Sequence, residues 1–403
     1  MNKSNADNLV FKLFDPLSQF DSVKEIWTFL LNKCPHSYHL SWAWTEIWLK
    51  SLPPDCELFL IAGYINKSPV LAFFLGSKIT TRHRFFKYRQ LALNQTLIPH
   101  VDSATYIEYN SILIDPKITI SLEPLLEIIP IKSWDEFLMM RCSQIYQPNL
   151  IVNNKLNKKF NLNTEKCESY YMDLDKIRRN KNDYLALLSP NRRQQIRRSI
   201  KEYEKLGEIQ IRIADRLEDA LAIFDELIEL HQKRWTERGY AGALSNEYAV
   251  NFHKSLISNR LKHGEIQLMK VSAGNTTIGC LYNIIYDRNI LFITCGFNYL
   301  EGHLYRPGIV CHYYAIVHNA MLGLNCYDFL EGEHNYKRSL SSNQIIMENI
   351  LIRKNSVKQN IEDITVTCYR LLKKALNKIK TCTERLTNIL FNSTYKYIYT
   401  NML

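Results

Sequence analysis

Apolar positions along this chain fall into helical and strand spacings that follow one another in the same order twice. In the second half, Ser189-Pro190 opens a helix in which Ile196, Ile200, Tyr203 and Leu206 recur at helical spacing before Gly207 stops it. Residues 208–213 (EIQIRI) alternate as a strand. Asp215 is placed to cap a second helix whose stripe is Leu217, Leu221, Phe224, Leu227, Ile228 and Leu230. Asn246 to His263 reads as another helix, closed by Gly264. Three strands follow at 265–272, 277–286 and 290–297, with turns at Ala273-Gly274-Asn275 and Asp287-Arg288-Asn289. A loop then leads to Pro307-Gly308, a mostly apolar helix ending at Gly323, and a short interior strand at 325–330.

The first half repeats this order. Residues 10–14 predict a strand, and helices are expected near 21–33 and 41–51, the latter carrying Trp42, Trp44 and Trp48. Strands at 57–65 and 70–79 flank a turn at Asn66-Lys67-Ser68-Pro69, and 85–93 makes a third. A helix near 122–129 precedes a strand at 134–140. The order β-α-α-β-β-β-α-β, used twice, predicts two related α/β domains. Each is a mixed, mostly antiparallel sheet flanked by helices, one over 1–150 and one over 189–355. The polar stretch 151–188 reads as a linker. Residues 356–403 read as a basic amphipathic helical tail with Ile361, Ile364, Val366, Leu371, Leu372, Leu376 and Ile379 on its apolar face.

Composition narrows the class. The 403 residues are 46% apolar and 23% charged, as in ordinary globular proteins, and no apolar run approaches the roughly 18–20 residues of a membrane span. The first residues lack the basic-then-apolar pattern of a secretory signal, so the expected location is the cytoplasm. Ten cysteines form no CxxC pair, and Cys280, Cys295 and Cys326 sit in apolar runs, which suits buried thiols. Eleven histidines show no metal-ligand spacing, so no metal is expected. The net charge of +11 is concentrated at Arg192, Arg193, Arg197, Arg198 and Lys201 and in the tail. Such clusters suit phosphates, RNA or an anionic membrane face, although a solvated basic face looks the same. Nothing points to sequence-specific DNA binding.

The chemistry is expected to start at Arg306-Pro307-Gly308-Ile309. Here a loop enters a helix whose first amides lack internal partners, a ready anion site that Gly308 lets a ligand approach. Four segments, LSPNRRQQIRRS (188–199), LHQKRWTERG (230–239), the GF…RPG step (296–308) and YDFLEGEHNYKR (327–338), carry a family likeness. They resemble GNAT-like acetyltransferases of cellulose and exopolysaccharide biosynthesis, relatives of the Fem-type peptidoglycan aminoacyltransferases. In the first half the likeness rests on SWAWTEIWLKSL (41–52) and YIEYN (106–110).

The resemblance implies two tandem GNAT domains, an acyl-CoA donor such as acetyl-CoA at Arg306–Ile309, and direct transfer to an amine or hydroxyl of a saccharide or cell-envelope precursor. HLYRPGIV (303–310) departs from the usual R/Q-x-x-G-x-G/A loop in having one glycine. Glu331 or Glu333 is the expected base, with His334 behind them, and Tyr336 the expected acid for the leaving thiolate. Lys337 and Arg338 are expected to hold phosphate or an anionic acceptor. Arg193, Arg197 and Lys201 share one helix face suited to the phosphates of CoA, of a nucleotide-linked sugar or of lipid headgroups, or to plain solvation, and Arg193, Trp235 beside Arg234 and the 331–338 loop are expected to border the acceptor cleft. Glu108-Tyr109-Asn110 is the cognate loop of the first domain, facing that cleft. Two rival readings stand beside this one. One is a Fem-like transferase using aminoacyl-tRNA. The other is a non-catalytic GNAT pair that scaffolds a membrane synthase through its basic tail, at the inner membrane face.

Overall fold

The computed structural model describes residues 9–82, 85–129, 131, 133–152, 159–332, 334–362, 364–368, 370–376 and 379. The first half is built from Val10–Phe14 (β1), Phe20–Leu31 (α1), Trp42–Ser51 (α2), Leu58–Ile65 (β2), Ser68–Arg82 (β3), Phe86–Leu93 (β4), Leu122–Ile128 (α3) and Glu136–Cys142 (β5). Phe160–Asp173 (β6) and Pro190–Glu204 (α4) connect the halves. The second half is Ile209–Ile213 (β7), Leu217–Glu237 (α5), Glu247–Arg260 (α6), Ile266–Ala273 (β8), Thr276–Tyr286 (β9), Asn289–Phe297 (β10), Pro307–Met321 (α7) and Cys326–Glu331 (β11). Asn335–Leu340 (α8) and Asn343–Lys354 (β12) follow. The order β-α-α-β-β-β-α-β is present twice.

Local signals set most boundaries. The Ser189 hydroxyl accepts the Arg192 amide at 3.3 Å with Pro190 in the first turn, and the Asn246 side chain accepts the Tyr248 amide at 3.1 Å. Val23, Ile26, Trp27 and Leu30 are the buried stripe of α1. Asp215 does not cap α5: the cap position is Arg216, with no side-chain cap bond. Asp219 in the first turn supplies the negative charge there instead and binds Arg212 and Arg216.

All these strands join one thirteen-stranded sheet in the order β1-β2-β3-β4-β5-β12-β6-β11-β10-β9-β8-β7, with the short Leu113–Ile114 strand beside β3. Pairing is antiparallel except for β4 with β5 and β10 with β11. The middle of the sheet is an exchange. β6, which follows the first half in sequence, pairs with β11 of the second half. β12, which follows the second half, pairs with β5 of the first. The two exchanged strands pair with each other over twelve residue pairs, Asn343↔Tyr171 to Lys354↔Phe160.

The segment 151–188, expected as a linker, therefore holds a central strand. Its polar run from Asn161 to Lys166 hides the alternation; there the strand is held by backbone pairing with β12, while Phe160, Cys167, Tyr170 and Met172 to either side are buried. On one side of the sheet α1, α2, α5 and α6 share a single core that includes Trp27, Trp44, Phe74, Phe224, Phe252 and Tyr282. The other side has separate cores, one with α4 and α7 and one with α3. Past β12, residues 357–362 are helical, and Ile361, Ile364, Leu371, Leu372 and Leu376 are exposed. Val366 is described and half-buried; most of the expected tail lies outside the described residues.

The exchange predicts one cooperative unit. Five of the six tryptophans (27, 42, 44, 48 and 134) report on the first half. Their fluorescence and the far-UV circular dichroism of the whole chain should unfold in urea with coincident midpoints. Ile352, fully buried on β12, packs in the core of the first half. Ile352→Ala should cost roughly 2–5 kcal/mol and move both midpoints together. Two separated transitions would contradict the coupling.

Candidate active site

The two parallel pairs place two wedges in the sheet. β10 and β11 pair only at Asn289↔Cys326, Ile290↔Tyr327 and Leu291↔Asp328. Beyond those residues they part around a cavity of ≈ 730 Å³. Phe292, Phe329, His312 and Tyr336 line its interior, and Arg306, Pro307, Gly308 and Ile309 bring the start of α7 to its wall. The leading end of that helix is thus open to the cavity, with first-turn amides and the positive end of the helix dipole beside it. A methyl group on Gly308 would sit 3.1 Å from the Phe297 ring, so a small residue keeps this wall close-packed.

Arginines rim the cavity. Arg192, Arg234, Arg238 and Arg306 all line it. Arg192 is held below its ordinary range by burial and then by the charge of Arg306. The Arg234 guanidinium lies 4.1 Å over the Tyr299 ring, and its Nε is buried without a partner. Like charges gathered around an aromatic-walled pocket are chemically suited to a polyanion.

The wedge of the first half is different. β4 and β5 also pair at only three positions, but the chain itself fills the opening. Asn110 donates its amide to the Arg141 carbonyl at 2.9 Å and its side chain to the Leu93 carbonyl at 3.0 Å. Asn94 donates to Asn110 Oδ1 at 2.7 Å, and both asparagines are buried. The two residues before this plug run into the other half. Glu108 lines the arginine-rimmed cavity, and one of its carboxylate oxygens accepts the Glu331 amide at 2.6 Å.

A buried polar knot fixes this crossing. Asp328 Oδ1 accepts from the Ser169 hydroxyl at 2.7 Å and the Leu330 amide at 2.8 Å, while Oδ2 takes the Tyr109 hydroxyl. Lys337, also buried, donates to the carbonyls of Leu330, at 3.2 Å, and Glu331. Arg141 donates to the Ile107 carbonyl at 2.7 Å, covers the Tyr106 ring at 3.4 Å and lies 3.9 Å from Glu331. Tyr106 donates its hydroxyl to Glu331. Tyr109, Arg141 and Leu330 have φ of 53°, 53° and 59°, left-handed values that non-glycine residues hold only when their surroundings impose them. Burial pushes Glu108 well above the usual carboxylate range, with Asp328 adding to it, and pulls Lys337 below the usual ammonium range. Burial also raises the Tyr336 hydroxyl, which stays protonated.

The structure brings together Arg306, Pro307, Gly308, Ile309, Trp235, Glu331, Tyr336 and Lys337, all of which line the cavity. It does not bring in the others. Arg193 binds the carbonyls of Leu185, Ala186 and Leu188, and Arg197 and Arg338 are exposed away from the cavity. Lys337 holds backbone rather than an open anion site. Glu333 lies outside the described residues. Arg192 showed only as one of a basic cluster, Arg238 only inside the 230–239 segment, and His312 not at all; the depth of Glu108 follows from its place next to the plug. Among the described residues no cluster of three or more His, Cys, Asp or Glu could hold a metal, and the nine described cysteines are free. No helix among them is long and apolar enough to cross a membrane.

Residues 190–338 match the family described as Acetyltransferase (GNAT) domain. The second half thus carries a stretch similar to a GNAT acetyltransferase domain, which supports an acyltransferase, and the β-α-α-β-β-β-α-β order recurs in both halves. Several solved structures share its outline. FemX has 10% identity, covers 85% of this chain and 97% of its own, and has a TM-score of 0.49. The C-terminal domain of a putative lysylphosphatidylglycerol synthetase from Agrobacterium fabrum has 8% identity, 86% and 96% coverage and a TM-score of 0.46. A tandem GNAT protein from the clavulanic acid biosynthesis pathway has 10% identity, 86% and 98% coverage and a TM-score of 0.43. No curated protein matches the sequence.

Two outcomes test the seam. Tyr109→Phe removes a donor from buried Asp328 and should cost about 1–3 kcal/mol in urea unfolding. His39, His253 and His312 are buried, and burial lowers them to about 3, about 4 and about 3. The unfolded chain takes up these protons near pH 6.5, so it binds more protons than the folded chain from there down to about pH 4. Stability should fall as pH falls through that window, by roughly 1.4 kcal/mol per pH unit for each histidine. Tm measured against pH should show this slope, and His312→Phe should remove one histidine's share of it.

Proposed function

We propose that this chain moves an acyl group, in the simplest case acetyl, from acyl-CoA to an amine or hydroxyl of a saccharide or cell-envelope precursor. One observation carries the reading: an arginine-rimmed wedge at the start of α7 meets a buried carboxylate delivered from the other half of the chain. Arg192, Arg234, Arg238 and Arg306 are the groups for the phosphates of the donor. The first-turn amides at Gly308 and Ile309 extend that charge into the wedge. The acceptor class rests on the likeness of 188–199, 230–239 and 327–338 to the exopolysaccharide-linked acetyltransferases.

Glu108 is the base in this reading. Its raised proton affinity suits it to take the proton from the acceptor nitrogen or oxygen as that atom bonds to the acyl carbon. The carbon–sulfur bond breaks, and Tyr336 gives its proton to the departing sulfur. Glu331 holds Tyr106 and faces Arg141, so it positions the strand end instead of taking the proton. Lys337 braces the Leu330 and Glu331 carbonyls. Cys295 lines the cavity, but burial pushes its thiol up to about 12, so it offers little thiolate as a nucleophile and transfer is direct. The reaction belongs in the cytoplasm, with the exposed apolar residues of the basic tail suited to an anionic membrane face.

Isothermal titration with CoA and acetyl-CoA tests the donor. Heat should appear, and the Arg192→Ala, Arg306→Ala double variant should weaken binding by about tenfold or more, some 1.4 kcal/mol. No heat at millimolar ligand would sink the donor assignment. The transfer rate should fall as pH falls through a pKa above the ordinary carboxylate range, because the base acts only when deprotonated. Glu108→Gln should lose that limb and roughly 10²–10⁴ in kcat. A variant that keeps both would remove Glu108 from the chemistry.

A further inference from the structure

Past β12 the chain enters a helix that lies on the first half by its polar side. Ser356 opens it, its hydroxyl accepting the Gln359 amide at 3.2 Å. Residues 357–362, 364–368 and 370–376 are helical. Lys358 ties the start to the body: it donates to the Lys87 carbonyl at 2.8 Å, pairs with Asp135 at 2.6 Å and lies 4.4 Å over the Tyr88 ring. Gln359 and Glu362 are buried, at 6% and 5% exposure. Val357, Ile361, Ile364, Leu371 and Leu372, by contrast, are 75%, 50%, 63%, 61% and 63% exposed.

At about 100° per residue, those five apolar residues fall within about 100° of one another, and Gln359 and Glu362 fall about 160° from the middle of their stripe. A surface helix normally buries its apolar stripe and turns its polar face to water. Here the polar face is docked and the stripe points outward, so the body of the protein does not cover it. Contiguous apolar surface of this kind marks an interaction site. The flanks decide what fits. Asn360, Thr365 and Thr367 border the stripe, all exposed and uncharged, and Thr365 engages its hydroxyl with the Ile361 carbonyl at 2.7 Å. Among the described residues the cation at a flank is Lys358, which is drawn away to Lys87 and Asp135. Arg370, Lys373 and Lys374 are exposed but fall on the back, about 110–150° from the middle of the stripe. A helix lying on anionic lipid needs its cations beside the apolar face, within reach of the headgroups. A helix that pairs with its own copy needs the reverse, because like charges on both flanks would repel across the seam.

We propose that this stripe pairs with the same stripe of a second copy, in a two-fold dimer whose seam is built by Val357, Ile361, Ile364, Leu371 and Leu372. The first half of each chain then lies outside the pair, behind Gln359 and Glu362. The basic back of each helix stays turned outward, where an anionic surface can still meet it. The dimer is independent of the acyl-transfer reading, since it involves neither the cavity, its arginines nor Glu108.

Sedimentation velocity on the full chain tests the pairing, in reducing buffer so that exposed Cys368 cannot link copies. At micromolar concentration the protein should sediment with twice the chain mass of 47.5 kDa. Ile361→Ser with Ile364→Ser should raise the dimer Kd by about tenfold or more, and so should Leu371→Ser with Leu372→Ser. All four side chains are exposed, so both variants should melt as the parent does; where one melts early, the other decides. Arg370→Ala with Lys373→Ala and Lys374→Ala, on the back, should leave the Kd unchanged. A monomeric parent overturns the pairing, as does a dimer that persists in a folded stripe variant or is lost in the back variant. A monomeric parent that floats with phosphatidylglycerol vesicles, and no longer does so with Ile361→Ser and Ile364→Ser, gives the stripe to lipid instead.

Discussion

The buried carboxylate of Asp328 is the constraint on which the rest of the site depends. It sits where β11 leaves its parallel partner, and its oxygens are fully engaged by Tyr109 from the first half, Ser169 from β6 and the amide of Leu330. A buried anion with that many donors has one arrangement that satisfies it, because any slip leaves a charge uncompensated in a poor solvent. The three donors come from three separated stretches of chain. Satisfying them fixes the left-handed turn at Leu330, the register of the two halves and the depth to which Glu108 enters the second wedge. Lys337 then balances the gathered negative charge and ties the end of β11.

The same segment does opposite work in the two wedges. Asn110 closes the first by hydrogen-bonding both strands that form it, and two residues earlier Glu108 reaches into the second. One half has given up its opening to equip the other. The cavity is built by the pair: the second half contributes the arginines and the helix start, and the first contributes the Glu108 carboxylate.

Much of the fold was legible because meanders of β-branched and aromatic residues alternate cleanly, and because Ser189-Pro190, Asn246 and Pro307-Gly308 punctuate helices in ways local chemistry enforces. The exchange was not. From Asn161 to Lys166, β6 has Leu162 as its one apolar residue, since its place there comes from backbone pairing with β12. The cavity lining was legible where it lies at an element end, as at Arg306–Ile309, Glu331, Tyr336 and Lys337. It was not legible on α4. Arg192 and Arg193 are about 100° apart around the helix, and the stripe of spacing alone cannot say which one faces a cavity built by distant strands. Glu108 was legible only as part of a loop facing the cleft, because its burial is set by distant parts of the chain.

The crossed strands also bear on how the polypeptide is made. β5 ends at Cys142 and the strand that completes its edge ends at Lys354. A ribosome adding about 5–20 residues per second reaches the second roughly 10–40 s after the first. For that interval the nascent amino-terminal sheet has an open flank with unpaired amides and carbonyls.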